Sequence, residues 1–115
     1  MVDLDKVGIT GKHADLLLLC GDTAVIIEET GTLKIDDAEQ VVQTSQALRT
    51  RREEFQVTSD PKRVVGVVHQ KRRANPIDIN YLHYVSKKWG LPILIANCCK
   101  DLVTKLGQRL KAEHK

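Results

Sequence analysis

The spacing of hydrophobic positions changes along the chain. Ala14 to Cys20 is a short apolar run, Gly21-Asp22 follows as a turn pair, and Thr23 to Glu29 is a second run rich in Val and Ile. Two such runs across a two-residue turn predict a β-hairpin, with Gly31 ending its second strand. From about residue 37 to the low fifties the period becomes helical. Ala38, Val41, Val42, Ser45 and Leu48 share one face, and Asp36-Asp37-Ala38-Glu39 reads as an N-cap close to a capping box. Thr58-Ser-Asp-Pro61 is a turn, after which Arg63 to His69 carries Val64, Val65, Val67 and Val68, as expected of a strand buried on both faces.

Asn75-Pro76 breaks the chain. Asp78 is the expected cap of a helix that carries Ile79, Leu82, His83 and Ser86 and stops at Gly90, and Leu91 to Ala96 is the next strand. Strand, short helix and strand predict a right-handed parallel βαβ unit. Cys99, Leu102, Val103, Leu106 and Leu110 recur at helical spacing, so a last helix covers a sheet face and runs into a charged tail, Lys111 to Lys115. The expected architecture is one α/β domain over residues 1–115, its mixed sheet made of the N-terminal hairpin and the parallel βαβ unit and flanked by helices.

A chain of 115 residues supports one sizeable core, and 42% hydrophobic with 29% charged residues excludes disordered and fibrous classes. The longest apolar runs, Leu16 to Cys20 and Leu91 to Ala96, fall far short of the roughly 20 residues that cross a bilayer. The amino terminus has acidic residues where a signal peptide is basic, and Cys98 and Cys99 are adjacent and poorly placed for a mutual disulfide. Reduced thiols and a cytoplasmic location are therefore expected, with Cys20 and Cys98 in the core. There is no Gly-rich phosphate loop, nucleophile elbow or dinucleotide fingerprint. His13, His69 and His83 form no close-spaced ligand set and Cys98-Cys99 lacks the paired knuckle of structural zinc, so zinc is not expected.

The net charge of +3 is modest, but its distribution is uneven. Between residues 49 and 73, eight basic residues (Arg49, Arg51, Arg52, Lys62, Arg63, Lys71, Arg72 and Arg73) face three acidic ones, a local balance of 8 − 3 = +5. Clustered cations of this kind bind nucleic acid through phosphate contacts and counterion release. Aromatic residues are scarce, which disfavours base stacking as the main mode. Trp89, Tyr81 and Tyr84 gather on the second helix and are candidates for a homodimer contact.

The chemistry centres on Asp15, at the start of the first hairpin strand, and Glu28, near the end of its partner. Antiparallel pairing about Gly21-Asp22 sets the two nearly opposite, where their carboxylates repel unless a proton or cation intervenes. Oxygen ligands of this kind suit Mg²⁺ or Mn²⁺. Gly11-Lys-His-Ala-Asp15-Leu-Leu-Leu-Leu followed by Val25-Ile-Ile-Glu28-Glu29-Thr30-Gly31 resembles the motif of the PD-(D/E)XK, restriction-endonuclease-like nucleases, in particular the archaeal Holliday-junction resolvases. The resemblance covers roughly residues 11 to 70. It implies a restriction-endonuclease-like fold and a Mg²⁺-dependent phosphodiesterase site with Asp15 and Glu28 as metal ligands. Thr30 stands where that motif has its lysine, and Lys34 is the nearest substitute. Gln40, Gln43 and Gln46 follow on the helix, where related nucleases carry a glutamine near the metal, although a solvated role is the expectation from the residues alone.

The sequence thus points first to a nucleic-acid-binding protein on a nuclease-like fold, weakly active or inactive. An active nuclease using Lys34 is the alternative. The third reading is a structural or regulatory subunit whose basic face binds an acidic protein partner.

Overall fold

A computed structural model describes residues 2–7, 13–55, 57 and 61–113. The five strands are β1 (Val2–Asp3), β2 (Leu16–Cys20), β3 (Thr23–Thr32), β4 (Arg63–Arg72) and β5 (Ile93–Ala96). The helices are α1 (Ile35–Thr50), α2 (Pro76–Trp89) and α3 (Cys99–Glu113), and a short 3₁₀ turn spans Arg52–Phe55. The strands form one sheet in chain order. β2 runs antiparallel to both of its neighbours, β1 and β3, while β3, β4 and β5 are parallel. The chain is a single α/β domain with a mixed sheet flanked by helices, as its periodicity predicts.

The hairpin turns where Gly21 takes φ of 60°, pairing Cys20 with Thr23 and Leu16 with Ile27. Gly31 does not end β3, which runs on to Thr32 because β4 stays alongside as far as Arg72. The start of α1 also differs from expectation. Lys34 is the N-cap, and Asp37, three residues on, accepts the Lys34 amide at 2.8 Å. The box expected between Asp36 and Glu39 is thus formed two residues earlier, by Lys34 and Asp37. At α2 the cap is Asn75, whose Oδ1 accepts the Asp78 amide at 2.9 Å, with Pro76 in the first turn. The side chain one turn earlier therefore takes the role expected of Asp78. β5 starts at Ile93, and β1 was not legible beforehand. The expected turn at Thr58–Asp60, and Gly11 and Lys12 of the motif, lie outside the described residues.

Both crossover helices lie on one face. Ala24 and Ile26 of β3 and Val64 and Val68 of β4 join Val41 and Leu48 of α1 and Leu82 and Val85 of α2 in the larger core. Two crossovers that step the same way across a sheet with the same hand leave their helices on the same side. Val25, Ile27 and Val67 point to the other face, where Leu106 of α3 covers them. Burial on both faces explains why β3 and β4 read as unbroken apolar runs. No helix among the described residues is long and apolar enough to cross a membrane. Cys98 is exposed rather than in the core, because it sits at the start of α3, where its Sγ accepts the Asp101 amide at 3.4 Å.

Candidate functional site

Period-two alternation puts Glu28 and Thr30 on the α1 side of β3, in line with Ala24 and Ile26. Glu28 is only 4% exposed. Asp15 lies just before β2. Its amide donates to the Ile27 carbonyl at 3.1 Å, and its carboxylate accepts the Glu29 amide at 2.7 Å. Those two bonds tie Asp15 to β3 just beyond the last strand pair, Leu16 with Ile27, and bring its side chain to Glu28. The two carboxyls meet, and the contact favours a proton held between them. Burial, then the bond to Asp15 and the negative charges of Asp15 and Asp37, push the Glu28 carboxyl up to about 9, and only the Glu29 amide acts in the opposite direction. Sharing a proton is how two like charges coexist in a poorly solvated place.

Helix α1 closes the site. With its amide nitrogen toward the acceptors, Gln40 donates to Glu28 Oε2 and to the His13 carbonyl, the latter at 3.1 Å. Thr44, one turn further, bridges the Gln40 carbonyl and the Ala14 amide, each at 2.7 Å. Burial raises the Asp37 carboxyl, opposed by the Lys34 amide and by a hydrogen bond from Thr30, and helped by the charges of Asp36 and Asp15. Gln40 is therefore part of the site rather than a solvated residue, whereas Gln43 and Gln46 are exposed. Asp37, Gln40 and Thr44 recur at spacings of three and four, so a polar stripe beside the apolar face of α1 was the signal that could have revealed them.

The remaining expected residues are distributed differently. Thr30, at the motif-lysine position, lies beside Asp37 and donates its hydroxyl to the Thr32 carbonyl at 3.2 Å. Lys34 is exposed at the N-cap of α1 and forms no ion pair among the described residues. The basic residues are two groups rather than one. Arg49, Arg51, Arg52, Lys62 and Arg63 sit at the amino end of β4, while Lys71, Arg72 and Arg73 sit at its carboxyl end. The two ends of this ten-residue strand are about 30 Å apart. Lys71 and Arg72 belong to β4 itself and not to a following loop. Arg72 Nε donates to Thr32 Oγ1 at 3.4 Å, and its guanidinium lies over Gly31, 2.9 Å from where a Cβ would stand.

Glu28 pairs with Val68, so the carboxyl pair and the Lys71–Arg73 group lie toward the same, carboxyl-terminal end of the parallel strands. At that end, Glu29, Thr30, Gly31, His69 and Lys71 line a cleft of about 260 Å³. Among the described residues no group of three or more His, Cys, Asp or Glu is placed to hold a metal ion. The oxygen donors brought together are the two carboxyls. Comparison with family models, curated proteins and solved structures gives no match for this chain.

Proposed function

We propose that this chain binds nucleic acid on a restriction-endonuclease-like scaffold, weakly active or inactive as a nuclease, with Asp15 and Glu28 able to hold Mg²⁺ or Mn²⁺ beside phosphates gripped by Lys71, Arg72 and Arg73. The supporting observation is the meeting of Asp15 and Glu28 toward the carboxyl end of the parallel strands, the end that also carries those three cations. Ligands of open α/β sheets collect outside that end. Two carboxyls fit Mg²⁺, which takes one or two from protein and fills its shell with water and phosphate oxygens. A divalent ion relieves the repulsion between the pair as the shared proton does, and when bound it supplies Lewis-acid polarisation of a phosphoryl oxygen.

Weak activity follows from Thr30. A hydroxyl brings no positive charge to a developing phosphorane, and losing such a stabiliser costs a factor of order 10² or more. Lys34, exposed at the N-cap of α1, is the lysine on which the active alternative rests.

The test is binding to fluorescent branched, duplex and single-stranded DNA and RNA at several salt concentrations with Mg²⁺ or Mn²⁺, followed by denaturing gels. Salt-sensitive binding with little or no cleavage is expected. Efficient cleavage that Asp15→Ala abolishes would make the protein an active nuclease. Absence of binding even at low salt would sink the proposal and favour a subunit that binds an acidic protein.

A further inference from the structure

At the opposite end of β4 from the carboxyl pair, a cleft of about 260 Å³ opens between the last turn of α1, the first residues of β4 and the turn from α2 to β5. Arg49, Lys62, Arg63 and Trp89 line it. Two bonds to one carbonyl fix its basic wall, since the Lys62 and Arg63 amides both donate to Asp22 O, at 2.8 and 3.3 Å. Gly90, with φ of 60° and open space where a Cβ would stand, turns the chain without narrowing the mouth.

The charges are unbalanced. Arg51 is paired with Glu54 at 3.3 Å and Lys105 with Asp101 at 3.4 Å, whereas Arg49, Lys62 and Arg63 have no carboxylate partner among the described residues. Three like charges around one small cleft repel, and an anion seated among them removes that cost. Trp89 makes the cleft more than an anion hole. Its side chain is 50% exposed, and it borders both this cleft and the groove where Val42 and Gln46 face α2. Lys88 Nζ stands 5.7 Å from its ring centroid. An indole beside guanidinium groups is a surface for a planar ring carrying phosphate. The volume lies just below the ~300–1,000 Å³ common for small-ligand sites, room for one nucleotide unit and not for a duplex.

We infer that the Arg49–Lys62–Arg63–Trp89 cleft binds a single nucleotide unit, its phosphate among the three cations and its base against the indole. The unit is either a free nucleotide or part of a single strand. The cleft is separate from the carboxyl pair and shares with the proposed function only a phosphate-bearing ligand.

Trp89 is the single tryptophan of the chain, so its emission comes from the wall that this cleft shares with the adjoining groove, and the wall variants below assign a change to the cleft. The full chain is titrated with adenosine monophosphate, a short oligodeoxyadenylate, inorganic phosphate and an oligoglutamate peptide. Saturable, salt-sensitive quenching by the nucleotide or the oligonucleotide is expected. The oligonucleotide winning identifies a strand, and equal affinities identify a free nucleotide. Arg63→Glu is expected to weaken the affinity about tenfold or more, and Lys100→Glu, an exposed charge change on α3, to leave it unchanged. Should Arg63→Glu lose its circular dichroism, Arg49→Gln tests the same wall. Equal effects of Arg63→Glu and Lys100→Glu would overturn the inference, as would phosphate or oligoglutamate binding as tightly as the nucleotide. Loss of branched-DNA binding in Arg73→Glu with the Trp89 quench intact supports the cleft and bears only on the carboxyl end.

Discussion

Glu28 is a carboxyl held in a place that disfavours its charge. Its value rises from 4.5 to about 9 on folding, so between those limits the folded chain keeps a proton that the unfolded chain releases. The stability tied to that proton is fully present below 4.5 and is lost as pH rises through about 9. The groups facing Glu28 do not reverse the sign, because Asp15 and Asp37 are carboxyls and Gln40 is neutral, and the raised Asp37 acts in the same direction. Glu28→Gln keeps the shape and removes the titration. Its melting temperature is expected to exceed that of the wild type by a margin that widens from about pH 5 to about pH 9. At the alkaline end, Mg²⁺ should raise the melting temperature of the wild type and leave that of Glu28→Gln unchanged. A constant margin across this range would show that Glu28 does not hold a proton in the fold.

At the scale of elements, the junction of α1 with the sheet depends on Gly66. A Cβ there would stand 2.5 Å from Val41 Cγ1 and 3.3 Å from Ile93 Cγ1, and both belong to the core between α1 and β5. Gly66→Ala is expected to destabilise the fold by about 1–3 kcal/mol through overpacking, seen in urea as a lower midpoint with an unchanged slope. This glycine lies within a run of valines and carried no signal of its own, since alternation identifies a strand but not which helix side chain presses on it. Helix boundaries were partly legible for a similar reason. Gly90 takes the left-handed conformation that ends α2, as its type foretold, and its amide reaches the Lys87 carbonyl at 3.3 Å. The caps lie two and three residues earlier than expected, at Lys34 and Asn75, because several neighbouring residues have the chemistry to cap and only the path of the preceding strand chooses where the helix starts.

Over the whole molecule, the split of the basic residues sets how phosphate contacts are distributed. Lys71 and Arg73 are exposed at the end that carries the carboxyl pair. Reversing both charges, Lys71→Glu with Arg73→Glu, should weaken duplex binding and reduce the slope of log affinity against log salt by about 2, roughly one for each lost contact. An unchanged slope would move the duplex away from this end of the sheet. The count of eight cations against three acids could not reveal this division, because neighbours in sequence around β4 stand at opposite ends of a ten-residue strand.

The sequence by itself determined the elements and the way they connect. Period-two runs around Gly21-Asp22, a β-branched run at Val64 to Val68 and apolar positions at helical spacing leave one economical solution, a hairpin continued by parallel crossovers. It also placed Asp15 opposite the end of the next strand, because antiparallel register follows from the turn. Tertiary structure alone decided what surrounds that pair. Gln40 and Asp37 reach it, and Thr44 braces Gln40 against Ala14, because α1 crosses β3 at a particular height. Local periodicity specifies which face of an element is apolar. The depth at which two faces meet is set by side-chain volumes from distant parts of the chain, and that depth buries Glu28 beside Asp15 and holds a proton on it.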